Sequence, residues 1–298
     1  MRDEKIEYRK AFKLPSFLKK LLILLFVISS IILIIAVRTR LTKPLAHVKP
    51  DYDKISIVKL LDKKELSDED YKKIFYQTGL GASAIDSLLS DKTNGKNKIL
   101  EFQENFFKDV NIFYQKITPI TYQESVLDDS GNVVFGTELA PYENGYILVT
   151  RATYSAGWRH GHAAIITDSK YGEILEAAVL GEDSQIASID SWRYYPNFIL
   201  LKLKNIEQSE LDEIAEFAVK ALYKVPYKLT VGIFSSKYKD GINPDGTHCS
   251  HLVWYPFKKF GYDLDSNGGI IITPQDIANS PYLEVVQVYG FNPKELWK

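Results

Sequence analysis

The pattern of apolar and polar positions divides the chain into three parts. Residues 21–37 form an uninterrupted apolar run, residues 55–116 are charged with helical spacing, and from Thr121 the spacing changes to two. A period near 3.6 indicates amphipathic helices, and a period of two indicates strands with one buried face. We therefore predict an apolar N-terminal helix, a small helical segment and a larger α+β domain with an antiparallel sheet at 117–298.

The apolar run at 21–37 contains 17 residues and no charged side chain, which is at the short end of what a transmembrane helix needs. Residues 1–20 carry more Lys and Arg than the residues that follow the run. The positive-inside rule then predicts a cytoplasmic basic tail and a single-pass anchor in the cell membrane, with the rest of the chain on the extracytoplasmic side. A cleaved signal peptide is the alternative, although the run is long for one and lacks a small-x-small cleavage pattern.

The helical segment follows a predicted linker at 38–54, which holds two prolines and shows little periodicity. Ser67 precedes a cluster of acids and so predicts the N-cap of a helix that runs to about Gln77. Two further helices are predicted near 83–90 and 98–115. The segment carries no group of catalytic residues, and we interpret it as a cap on the next domain or a spacer from the membrane.

Strand periodicity extends over the rest of the chain and is interrupted by two helices. A turn at 128–132, rich in Asp, Gly and Asn, predicts a hairpin between the runs at 123–127 and 133–137. Ser209 is the predicted N-cap of an amphipathic helix that ends at Tyr223. The remaining predicted strands are 146–150, 162–167, 174–179, 197–204, 269–272 and 283–289.

The single cysteine of the chain, Cys249, opens the second of these helices. It shares one helical face with the apolar residues that follow it, and Gly261 is placed to end the helix. In the first turn of a helix, free backbone N–H groups and the helix dipole favour a thiolate, which is the nucleophilic form of cysteine. The alternative is that Cys249 is a small buried hydrophobe without a chemical role.

A nucleophilic cysteine needs a base beside it and a third group that orients the base. His162 stands at the start of a predicted strand. If 162–167 and 173–178 pair around the loop between them, Ala164 lies opposite Glu176, and Glu176 becomes the diagonal neighbour of His162, within reach of its ring. The alternative for Glu176 is an exposed position on an edge strand.

Three other histidines compete with His162 for the role of base. His251 lies about 200° around the helix from Cys249, and His248 is predicted at the N-cap, beside the backbone that it flanks. His160 shares the strand parity of His162 but lies outside the apolar run. Together with Cys249, these four histidines also permit a metal site with imidazole and thiolate ligands. A non-catalytic surface binding module is a further alternative.

Composition limits the classes of binding partner and the cellular compartment that we expect for this protein. The net charge is −1 at pH 7, so no nucleic-acid partner is predicted. One cysteine excludes an intramolecular disulfide. A lone thiol is unusual outside the cell, where cysteines are usually paired, and this favours a catalytic role for Cys249. We expect neither a metal nor a cofactor.

Three motifs carry a resemblance to a known family. They are His-Gly-His-Ala-Ala-Ile-Ile at 160–166, Ile-Leu-Glu-Ala at 174–177 and Cys-Ser-His-Leu-Val-Trp at 249–254. They resemble the permuted papain-like amidases of the YiiX/YebB type, distant relatives of the NlpC cell-wall cysteine hydrolases. The histidine strand precedes the cysteine helix here, as in the permuted group. The resemblance covers about residues 138–298.

The resemblance implies a circularly permuted papain-like fold, in which the helix that bears the cysteine packs on an antiparallel sheet. It implies a cysteine amidase or peptidase that works through a thioester acyl-enzyme, with Cys249 as nucleophile, His162 as base and Glu176 as the orienting acid. The implied substrate is cell-wall peptide, and relatives of this fold also act on lipid-linked amides and esters as hydrolases or acyltransferases. Two residues depart from the family pattern: His251 stands where many members have an acid, and Pro256 lies inside the helix. Both departures affect the expected substrate contacts more than the expected triad.

Overall fold

The computed structural model describes residues 15–42 and 45–297. Residues 1–14 of the basic tail that was predicted at 1–20 lie outside the described residues. The helices in the described part are α1 Ser16–Thr42, α2 Val58–Leu61, α3 Asp68–Thr78, α4 Ala82–Ser90, α5 Gly95–Phe106, α6 Asp190–Arg193, α7 Gln208–Leu222, α8 Cys249–Lys259 and α9 Pro274–Ala278. The strands there are β1 Asn111–Lys116, β2 Thr121–Leu127, β3 Ile147–Thr150, β4 Thr153–Ser155, β5 His162–Asp168, β6 Glu173–Glu176, β7 Gln185–Ser188, β8 Phe198–Leu203 and β9 Leu283–Tyr289.

The strands form two antiparallel sheets, and the α+β prediction is confirmed. The larger sheet has the order β7-β6-β5-β3-β8-β9, and the smaller has the order β1-β2-β4. Helices α7 and α8 pack against β5, near the middle of the larger sheet. Strand β3 is buried along its whole length, as its uninterrupted apolar sequence requires of a strand covered on both faces.

The pairing of β5 with β6 has the register predicted from the sequence, with Ala164 opposite Glu176. Strand β6 pairs on its other side with β7, so Glu176 lies on an interior strand and is only 9% exposed. The alternative of an exposed edge position is therefore wrong. The predicted strand at 174–179 is shorter than expected, because β6 ends at Glu176.

Helix α8 begins at Cys249 with His248 as its N-cap, as predicted. It differs from the prediction in being buried on every side from Cys249 to Phe257, because β5, α7 and α9 all pack against it. Helix α7 begins at Gln208 and has Glu207 at its N-cap position. Ser209 therefore lies inside the first turn, and its prediction as N-cap is wrong.

Two predicted elements are replaced in the smaller sheet. The helix expected at 98–115 ends at Phe106, and β1 follows it, because residues 111–116 pair with β2 over six positions. The run at 133–137 forms no strand and makes an isolated bridge between Val133 and Leu127, because the N–H of Val126 donates to the carbonyl of Tyr194 rather than to this run. The turn at 128–132 is nevertheless present, with Asp128 accepting backbone N–H bonds within it.

The strand expected at 269–272 is also absent, and this stretch forms a loop before α9.

The helical segment is built onto the larger sheet. Ser67 caps α3, and Gly79 ends it in the left-handed conformation, as the sequence predicts. Beyond α3, the N–H of Gly81 donates to the carbonyl of Val286, and the N–H of Val288 donates to the carbonyl of Gly79. The segment thereby covers the outer edge of β9, which an open sheet would leave unpaired.

Helix α1 is long and apolar enough over Ser16–Leu41 to cross a membrane, a length and composition that also fit a signal sequence. Residues 45–50, in the predicted linker at 38–54, are hydrogen-bonded to the domain. The N–H of Val48 donates to the carbonyl of Gly290 at 3.1 Å, and Asn197 Nδ2 donates to the carbonyl of Ala46 at 2.6 Å. The chain is thus attached to the domain within a few residues of the end of α1.

Candidate functional site

The thiol of Cys249 lies at the first residue of α8, where it is 9% exposed. Burial alone disfavours its ionised form. Hydrogen bonds with His162 and His248, and the charges of both rings, outweigh burial and hold the pKa of Cys249 well below its usual value. The thiol is therefore placed for ionisation at neutral pH, the condition for nucleophilic attack.

The ring of His162 lies between the thiol and Glu176. Its Nε2 donates to Glu176 Oε2 at 2.8 Å, and the two side chains are 8% and 11% exposed. Burial lowers the pKa of His162, whereas the contacts with Cys249 and Glu176 raise it to about 10. With Nε2 engaged by Glu176, Nδ1 is the ring nitrogen that remains for the thiol. We refer to the side chains of Cys249, His162 and Glu176, which interact in this order, as the relay.

Aromatic side chains lie around this relay, and no pattern in the sequence predicts them. Trp192, which is fully buried in α6, stacks on His162 with ring centroids 5.5 Å apart and an interplanar angle of 19°. Burial raises the pKa of Tyr195 and of Tyr227, and the nearby charge of Cys249 raises both further. The stack fixes the plane of the imidazole, and the two phenols stay protonated.

His248 contributes to the site, which corrects the prediction that it would lie only beside the backbone. Its Nδ1 accepts the N–H of His251 at 3.5 Å, and its ring lowers the pKa of the Cys249 thiol. Helical-wheel angles do not describe an N-cap residue, because its side chain turns back over the first turn of the helix. The signal available in the sequence was its position immediately before the cysteine.

The substitution His248→Asn tests this contact, because Asn preserves N-capping and removes the imidazole. We expect the pH at which Cys249 becomes half ionised to rise by about one unit, as for the loss of one charge-assisted hydrogen bond. The measurement is the rate of alkylation by iodoacetamide as a function of pH. An unchanged profile in His248→Asn would show that the imidazole does not influence the thiol.

The other two histidines near the motifs have structural contacts. His251 lies between the hydroxyl of Thr247, at 3.0 Å from Nδ1, and the carbonyl of Lys237, at 2.8 Å from Nε2. Burial lowers the pKa of His251 to about 4, so its ring is neutral. His160 lies outside the relay, with Nε2 at 3.1 Å from Ser155 Oγ. The positive φ of Gly161 breaks the strand alternation that made His160 a competitor for the role of base.

The metal-site alternative requires several of these side chains to converge on one point. Among residues 15–42 and 45–297, no three His, Cys, Asp or Glu side chains form a group that could hold a metal ion. The donor chemistry of His251 agrees, since both of its ring nitrogens are engaged by protein groups. These residues do not fit a metal centre of the kind considered from the sequence.

Comparisons with known proteins give two likenesses. No model of a protein family matches the sequence. The chain is similar to the uncharacterised protein YycO of Bacillus subtilis strain 168, with 27% identity over 181 residues that cover 58% of this chain and 70% of YycO. It is also similar to the crystal structure of the metalloprotein YiiX (DUF1105) of Escherichia coli O157:H7, with a TM-score of 0.39, 13% identity, and coverage of 49% of this chain and 97% of that one. Because YycO is itself uncharacterised, the chemistry of this chain has to be derived from its own residues.

Proposed function

We propose that this protein is a membrane-anchored cysteine hydrolase that cleaves an amide bond. The observation that carries the proposal is the position of the Cys249 thiol. It lies at the N-terminus of a buried helix, and its pKa is lowered by interaction with His162, whose Nε2 is 2.8 Å from a buried carboxylate of Glu176. A nucleophile, a base and a group that orients the base are the three parts that acyl transfer requires.

The first half of the reaction forms a thioester. The Cys249 sulfur attacks the carbonyl carbon of the substrate, and the negative charge moves to the carbonyl oxygen. The backbone N–H of Cys249, in the first turn where no intrahelical acceptor exists, is positioned to donate to that oxygen. As the C–N bond breaks, the imidazolium of His162 transfers its Nδ1 proton to the departing amine. Glu176 stabilises the imidazolium before this transfer.

The second half releases the acyl group. Neutral His162 takes a proton from a water molecule, which attacks the thioester carbonyl. The carbon–sulfur bond breaks, the product leaves as a carboxylic acid, and Cys249 returns to the thiolate paired with imidazolium. If an alcohol or amine replaces water, the same steps give an acyltransferase, which is the alternative outcome of this chemistry.

The fold and the membrane helix support the rest of the proposal. The histidine strand β5 precedes the cysteine helix α8 along the chain, the order expected for a circularly permuted papain-like hydrolase. An extracytoplasmic domain behind the anchor α1 would meet cell-wall peptide, which we propose as the substrate. A lipid-linked amide or ester is the second candidate, because α1 would hold the domain close to such molecules.

The test compares purified wild-type protein with Cys249→Ser on two substrate panels, cell-wall peptides and lipid amides or esters, with mass spectrometry of the products. We expect the wild type to produce a new amine and a new carboxylic acid from one panel and the variant to produce neither. Cleavage by Cys249→Ser at the wild-type rate would overturn the proposed nucleophile. Activity on lipid substrates alone would replace the proposed cell-wall substrate.

A further inference from the structure

The end of α1 is fixed against the loop that precedes β5. At Gly157, which has a φ of +77°, an added Cβ would lie 2.4 Å from the Cβ of Arg38 and 2.7 Å from the backbone nitrogen of Thr39. Only glycine permits so close an approach of the loop to the helix. Thr39 is accordingly half-buried, whereas most of α1 before it is exposed.

The short connection between α1 and the domain independently places the end of α1 at the domain surface. From Thr42 to Ala46 the backbone takes four steps, which span at most about 14 Å when fully extended. The carbonyl of Ala46 is bound by the side chain of Asn197, which is fully buried in the domain. The domain surface around Gly157 is therefore held directly at the end of α1 rather than on a long tether.

Three large apolar side chains are exposed at this place. Ile117 and Ile120 lie in the turn between β1 and β2 and are 49% and 48% exposed, and Trp158 is 57% exposed. The turn and the loop are joined, because the N–H of Ala156 donates to the carbonyl of Ile120 at 2.8 Å. We name Ile117, Ile120 and Trp158 the anchor-side patch.

Basic residues accompany the anchor-side patch. Lys116 precedes Ile117 at the end of β1, and Arg38 and Arg40 lie in the last turns of α1, all with exposed side chains. An apolar cluster with tryptophan, beside lysine and arginine, is the composition that proteins present to the boundary between lipid headgroups and acyl chains. Tryptophan in particular suits that boundary, because its ring is apolar and its N–H is polar.

We propose that the anchor-side patch rests on the surface of the membrane that α1 spans, with Trp158 inserted at the headgroup level. The occupant is the lipid surface itself, since Arg38 and Thr39, which follow the apolar run of α1, approach Gly157, the neighbour of Trp158. His162 follows Trp158 by four residues, so the end of β5 that carries the candidate site faces the membrane. This inference concerns the position of the domain and holds whether or not the proposed triad is catalytic.

The experiment uses tryptophan fluorescence of the full-length protein in lipid nanodiscs. The other tryptophans, Trp192, Trp254 and Trp297, are at most 7% exposed, so Trp158 is the one accessible to a quencher in lipid. We expect emission to fall when the lipid is replaced by one brominated high on its acyl chains. The same change of lipid should cause little loss in Trp158→Phe. Equal emission in both lipids, or an equal loss in Trp158→Phe, would overturn the proposal.

A matched control places the probe at the other end of β5. Tyr171 is exposed in the turn after this strand of seven residues, about 20 Å from the His162 end. Tyr171→Trp in the Trp158→Phe background should show no loss in brominated lipid, and a loss equal to that of the wild type would overturn the orientation. Protection of Trp158 from acrylamide without quenching by brominated lipid would mean that protein covers the patch, which also contradicts the proposal.

Discussion

Replacing His162 with alanine is expected to slow the alkylation of Cys249 at pH 6 by roughly ten- to a hundredfold, because a thiol with the ordinary pKa of about 8.5 is less than about 1% ionised there, and of the two histidines His248 alone then remains to lower the pKa of Cys249. In the wild type, His162 carries a proton up to a pKa of about 10 and holds the thiol as a thiolate, whose pKa lies well below its usual value. The wild-type rate should therefore stay nearly level from pH 6 to pH 9. The rate of His162→Ala should climb steeply with pH, because the pKa of Cys249 rises when His162 no longer stabilises the thiolate.

The measurement is unusually direct, since the chain has one cysteine and every alkylation event reports on it. Iodoacetamide labelling followed by intact mass spectrometry gives the rate at each pH. His160→Ala is the matched control, because His160 is bound to Ser155 outside the relay, and it should keep the wild-type profile. If His160→Ala loses reactivity at low pH while His162→Ala keeps it, the assignment of the base is wrong.

The second large effect is expected on stability. Arg159 binds Glu124 through two parallel hydrogen bonds of 2.7 Å, and the two side chains are 8% and 0% exposed. Removal of one partner from a buried ion pair leaves an uncompensated charge and costs about 3–5 kcal/mol. Glu124→Ala should therefore lower the free energy of unfolding by about that amount. It should also loosen the loop between β4 and β5, because Arg159 lies in that loop.

Urea denaturation followed by tryptophan fluorescence in detergent measures this effect. The control is Asp109→Ala, which removes a pair of similar length between Lys49 and Asp109, at 2.6 Å, whose side chains are 47% and 84% exposed. Such surface pairs contribute about 0–1 kcal/mol because water screens them. A cost for Glu124→Ala no larger than that for Asp109→Ala would show that the Arg159–Glu124 pair does not stabilise the fold.

The parts of the fold that the sequence predicts well depend on local signals. Ser67 and Gly79 cap the two ends of α3, and capping depends on only a few adjacent residues. The β5–β6 register also followed from local information, because a short loop between two apolar runs leaves few ways to pair them. That register alone brings the carboxylate of Glu176 to His162.

The parts that could not be predicted depend on distant neighbours. Residues 111–116 have the charge and length to continue α5, and they become β1 because β2 offers them a partner. Residues 133–137 make a single bridge to β2 instead of a strand, since the N–H of Val126 donates to the carbonyl of the distant Tyr194. Trp192 lies thirty residues from His162 in the chain, and only the packing of α6 brings the rings together. His248 was within local reach, but helical-wheel geometry places an N-cap side chain wrongly.

The contacts between the helical segment and β9 also determine when the domain can fold. Leu80 bridges to Gln287, and Val48 bonds to Gly290, so the beginning and the end of the domain meet on one sheet. Contacts between residues so distant in sequence are slow to form, because the loop that must close is almost the whole domain. During synthesis, the N-terminal helices are made long before their partner strand exists. Completion of the sheet therefore waits for β9 to emerge, and the unpaired edge of β8 stays open to other chains until it does.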